Sequence, residues 1–157
     1  MKKALISVGA LCSMATPAHA HWQYTRWGMT PEQVVASSSG AARMASASEM
    51  DAAIDGKKLA VGTFDSNGRK LNLEFWFAAQ GLRSVTLMSK NVPDCTLLKR
   101  DMYDVYGSPL SEKTLGVSKN SVWQDRAKGN GVTFVEWIDH TCTIYYSALV
   151  SASDTGL

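Results

Sequence analysis

Between Leu71 and Phe77 every second residue is a large apolar side chain. Leu71, Leu73, Phe75 and Phe77 alternate with Asn72, Glu74 and Trp76. A period of two is the mark of a strand buried on one face. A helix would scatter these four side chains around its axis. The flanking sequence extends the pattern. Leu59 to Phe64 reads as a strand, Asp65-Ser66-Asn67-Gly68 as a turn, Gln80-Gly81 as a second turn, and Leu82 to Ser89 as a third strand. Connections this short join antiparallel neighbours, so the segment is a meander.

Helical signals bracket the meander. Thr30-Pro31-Glu32-Gln33 offers an N-cap, a proline at the first helical position and a Thr-x-x-Gln capping box. Residues 36–56 are rich in Ala and Ser and read as a loop, or as further helix around 43–54. Pro93 and Asp94 open a second helix, whose stripe is Cys95, Leu98, Met102, Val105 and Tyr106 and whose stop is Gly107 with Pro109. Three more strands follow at about 120–127, 131–138 and 141–148, with turns at Lys128–Gly131 and Asp139-His140. The order predicts an α+β domain: a duplicated αβββ unit, with two main helices on one face of an antiparallel sheet of about six strands.

The first twenty residues lie outside that domain. Lys2 and Lys3, an apolar run from Ala4 to Met14, and Ala18-His19-Ala20 read as a secretory signal peptide cleaved after Ala20. The apolar run is shorter than the roughly 20 residues a spanning helix needs. Leu11 before Cys12 departs from the small residue that a lipidated signal carries. The division is therefore a signal over 1–20, one domain over 21–150 and a frayed tail over 151–157, in a periplasmic or secreted protein. No later run is long enough to form a transmembrane helix.

Cleavage changes two readings. The chain carries 16 Lys+Arg and 14 Asp+Glu, and loss of Lys2 and Lys3 leaves 14 of each. The basic balance belongs to the signal, which removes the charge argument for nucleic acid. Three cysteines become two, Cys95 and Cys142. In an oxidising compartment these are expected to form a disulfide, joining the second helix to the last strand through the core.

The Gly28-Met29-Thr30-Pro31-Glu32-Gln33-Val34 segment resembles the helix start of the small SmpA/OmlA-like envelope proteins, whose pattern is Gly-Met-Thr, then Gln-Val, then Leu-Gly-x-Pro. The first half lacks the Gly-x-Pro ending, while Tyr106-Gly107-Ser108-Pro109 supplies it in the second half without the start. The wider order resembles the β-lactamase-inhibitor-protein-like fold and, more broadly, small secreted proteobacterial proteins. These resemblances imply a non-catalytic module that presents a sheet surface to a protein partner.

The residues offer little catalytic chemistry. His21 and His140 are the only histidines after the signal, no Gly-x-Ser-x-Gly occurs, and both cysteines are assigned to a bridge. The acidic residues are scattered rather than paired. The expectation is a protein that is not an enzyme and needs no cofactor. One metal reading stands as an alternative. Cleavage after Ala20 exposes His21 as the N-terminus, whose amine and imidazole suit Cu(II), with His140 as the other ring. The stronger clue is aromatic. Parity turns Trp76 and Tyr145 away from the buried stripe, while the strand of Trp137 is apolar on both faces. Trp76, Tyr145 and Trp137 are the candidate contacts for an envelope or secreted protein, unless the leading segment with Trp22 and Trp27 folds across them.

Overall fold

The computed structural model describes residues 21–54 and 56–149. The signal peptide expected over 1–20 and the tail expected over 151–157 lie outside them. Strands take 53% and helices 17% of the described residues, so the domain is mostly β.

The alternating run forms β6 (Arg69–Ala78), between β5 (Gly56–Ser66) and β7 (Gly81–Ser89). Leu71, Leu73, Phe75 and Phe77 are all buried, and Phe75 is fully so. Asn67 and Gly68 both have positive φ, which matches the β5–β6 turn to the strand twist. The Gly68 N–H also donates to Asp65 Oδ1 at 2.7 Å. A second meander comprises β8 (Ser111–Leu115), β9 (Ser118–Asp125), β10 (Asn130–Trp137) and β11 (Cys142–Ala148). β11 pairs with β7, with Tyr145 opposite Thr86, and fuses the two meanders.

Two short strands, β3 (Ala42–Met44) and β4 (Asp51–Ala53), both pair with β5. The result is a nine-stranded antiparallel sheet in the order β3-β5-β6-β7-β11-β10-β9-β8, with β4 also on β5. β1 (His21–Trp22) and β2 (Thr25–Arg26) form a separate hairpin.

This corrects the expected duplicated αβββ unit over about six strands. α1 (Pro31–Ser37) is followed by five strands and α2 (Val92–Tyr106) by four. The unforeseen strands share a cause. Four of the five β8 residues are exposed, as are all three of β4, so neither carries an alternation of buried and polar positions. The 36–56 stretch holds β3 and β4 where a loop or helix was expected.

Both helices begin as their caps dictate. Thr30 accepts from the Gln33 N–H while Gln33 Oε1 accepts from the Thr30 N–H at 2.9 Å, closing the capping box. In α2, Asn91 accepts from the Asp94 N–H, and Gly107 at φ +72° ends the helix. Cys95, Leu98 and Met102 are buried as the stripe requires, but Val105 is 71% exposed, and it is Tyr106 that packs on Trp123 of β9 at this end of the helix.

The helices and the β1–β2 hairpin share one core with the inward residues of the sheet. Trp22 packs its ring against Phe64, Phe75 and Tyr146. Gly28 docks on the β6–β7 turn: its N–H donates to Leu82 O, and the Leu82 N–H donates to Met29 O. A Cβ on Gly81 would lie 2.2 Å from Gly28 O, so this contact requires glycine. Cys95 and Cys142 form a disulfide that closes 47 residues of separation and pins α2 to β11. A loop of that size is worth about 4 kcal/mol in the chain-entropy account.

Candidate functional site

With α1, α2 and the hairpin all on one side, the opposite face of the sheet has no element packed over it among the described residues. Cross-strand register assigns its side chains. One row runs Val61, Glu74, Thr86, Tyr145, Thr133 and Val122. The next runs Asn72, Met88, Thr143, Val135, Asn120 and Lys113. From Thr86 and Met88 on β7 to Val122 and Asn120 on β9 neither row carries a charge. Val135 is buried yet stands apart from the core cluster, because its neighbours on this second face enclose it.

The expected aromatic contacts occupy this face at separate places. Trp76 is half-buried. Its Nε1–H donates to Glu74 Oε2 at 3.2 Å, and Lys58 Nζ lies 5.8 Å from its ring centroid. Lys58 and Glu74 pair at 2.9 Å with side chains only 15% and 16% exposed. Tyr145 is 37% exposed, and burial of its remainder pushes its hydroxyl pKa up. Trp137 donates from Nε1–H to Thr143 Oγ1, which resolves the parity question and places it on the open side. Strand spacing and rise put Trp76 about 12 Å from Tyr145 and about 25 Å from Trp137 at Cα. Thr86, Thr143 and Val135 are buried between their longer neighbours, so the face offers an uncharged surface of Tyr145, Thr133, Val122 and Met88 with a Trp at each end.

Trp22 and Trp27 lie on the covered side. Trp22 is in the core, and Trp27 donates to Asn130 Oδ1 at 3.2 Å. The leading segment leaves the open face uncovered.

A groove of about 700 Å³ borders the face where residues 40–51 rise beside β5 and β6, over Val61, Asn72, Glu74 and Met88. Its wall is held by Arg43, whose two terminal nitrogens reach Glu49 at 2.7 and 2.6 Å. Arg43, then the Ser46 N–H and hydroxyl, hold the Glu49 carboxyl well below the usual range. Two of its three acids, Glu49 and Glu74, are thus each committed to a base in the same groove, and the third is Asp51.

His140 sits at φ +62° in the β10–β11 turn, where its N–H donates to Trp137 O. Asp139 accepts from the Thr141 hydroxyl and N–H, which lower its pKa. His21 begins β1, next to Trp22, which packs against Tyr146 at the other end of β11 from that turn. Positions 140 and 146 are about 20 Å apart along an extended strand. The backbone does not bring His21 and His140 together, and no cluster of three metal-binding side chains occurs among the described residues.

Sequence reasoning missed the face's other members. Thr86 and Thr133 are unremarkable in sequence, and only cross-strand register sets them around Tyr145. It also missed an exposed apolar corner. Leu115 is 57%, Val117 59% and Ile138 76% exposed, and the Ile138 N–H donates to Val117 O. Ser118 pairs with both Leu115 and Trp137, which joins this corner to the open face.

Comparison with known proteins gives no match: no family model, no curated protein and no solved structure is similar to this chain.

Proposed function

We propose that this is an exported binding protein rather than an enzyme, and that it presents the open sheet face to an envelope or secreted protein. The observation that carries the reading is the uncharged centre of that face around Tyr145, uncovered among the described residues. Interface centres are depleted in charge and enriched in Tyr and Trp. The seven strands from β5 to β8, at their spacing and length, offer about 800 Å², enough for one side of a standard interface. The resemblance of the Gly28–Val34 segment to envelope proteins points the same way, and the export signal read in residues 1–20 supplies the compartment.

Capture of partners from a native envelope extract tests it. Tyr145→Ala combined with Trp137→Ala should abolish the specific capture seen with the unaltered protein, while Val105→Ala, on the exposed side of α2, should leave it intact. Capture that survives the double substitution assigns binding to another surface.

A further inference from the structure

The sheet ends at β8, whose outer edge has no strand beside it among the described residues. The opposite end is different: β3 and β4 are three residues each, and the Arg43–Glu49 pair folds the chain between them. β8 offers five residues in one run, held rigidly in place. The Leu110 N–H donates to Val122 O at its start. In its middle, Glu112 accepts from the Tyr103 and Ser121 hydroxyls at 2.8 Å each and pairs with Lys119.

A rigid row of backbone groups without partners is complementary to another extended chain. On the open-face side of β8, Lys113 has no ion pair among the described residues, and Leu115 is exposed two positions on. A second copy fits poorly. Antiparallel self-pairing that keeps the faces aligned sets Ser111, Lys113 or Leu115 opposite Lys113 according to register, and never a carboxylate, because Glu112 lies on the other face.

We propose that the β8 edge takes an extended peptide strand of a partner protein, with a carboxylate opposite Lys113 and an apolar residue two positions away opposite Leu115. This deepens the proposed binding role by naming how the partner attaches, and it does not require Tyr145 or Trp137.

The test uses the folded, oxidised protein and fluorescein-labelled Thr-Val-Thr-Asp-Thr-Val-Thr, its central-Lys counterpart, and a version N-methylated at alternate amides. Fluorescence anisotropy should show the Asp peptide binding about tenfold tighter than the Lys peptide, from cross-strand charge pairing. Lys113→Glu should reverse that order, N-methylation should abolish binding, and hydrogen exchange should slow at residues 111–115. Tyr145→Ala should leave peptide affinity unchanged, so loss of the face reading and loss of the edge reading are separable. Equal affinity for the two charged peptides, no binding at ~1 mM, or unchanged exchange at 111–115 overturns the proposal. Concentration-dependent protection of β8 without peptide overturns it too, by assigning the edge to a second copy.

Discussion

The two faces of the sheet are built from the same strands and carry opposite fates. On one, Phe75, Val85, Phe134 and Ile144 are sealed beneath α2 and the β1–β2 hairpin. On the other, Trp76, Tyr145 and Trp137 keep contact with solvent although they are as large. Residue type does not separate them, since Trp22 is buried and Trp76 is only half so. The difference is what crosses above each face. Burial is a property of the layer arrangement, and an uncovered aromatic position in a protein with a complete core is free to serve recognition.

Substitution measures the contrast directly. Phe75→Ala should cost about 3–5 kcal/mol in chemical denaturation, because a fully buried ring leaves both a transfer loss and a cavity. Removing the bridge with Cys95→Ala and Cys142→Ala should cost about 4 kcal/mol through restored chain entropy. Tyr24→Phe should change stability in the other direction, by about 1 kcal/mol. The Tyr24 hydroxyl is buried on the covered side without a hydrogen-bond partner, and its loss removes a desolvation penalty. Tyr145→Ala should cost about 1 kcal/mol, the span between a strong and a weak strand former at a part-exposed sheet position. A large loss at Tyr145 would show that the open face holds the fold together and would weaken its assignment to binding.

Two titrations sharpen the same contrast. Burial lifts the Tyr24 pKa from 10.0 to about 12. The folded state then holds a proton that the unfolded state releases, so this contribution is complete below pH 10 and is lost as pH rises toward 12. The Tyr24→Phe protein should lose less stability across that window. Glu49, Glu112 and Asp139 are shifted downward by hydrogen bonds, from Arg43, Ser121 and Thr141 respectively as the leading donors. Their stabilisation is present above the ordinary carboxylate range and is lost as pH falls through their lowered values. Thermal melts should therefore decline progressively below about pH 4.5, with a smaller decline in Glu112→Gln.

Much of the covered face was legible in sequence. The alternation in β6, the capping box at Thr30 and the helical stripe at Cys95, Leu98 and Met102 are each set by neighbours within a few residues. The stripe failed at Val105, which is exposed while the next residue, Tyr106, packs its ring against Trp123 of β9. The candidate site was legible only in part. Parity turned Trp76 and Tyr145 outward, but parity cannot say which Thr stands beside Tyr145, because register between β7, β11 and β10 is a relation among distant residues. β8 was invisible for the same reason. Its strand conformation comes from pairing with β9 and from the Glu112 contacts, and Ser-Glu-Lys-Thr-Leu carries no periodicity of its own.

By itself, the sequence determined the alternating strands, the helix starts and the residues available for a bridge, because each is written in local stereochemistry and short-range spacing. Only the tertiary structure decided that there are nine strands in one sheet, that the leading segment packs into the core, and that β8 ends the sheet with Lys113 and Leu115 at its edge. Those outcomes depend on contacts between residues far apart in the chain, where local preference is weak and the burial of a shared core selects among the arrangements.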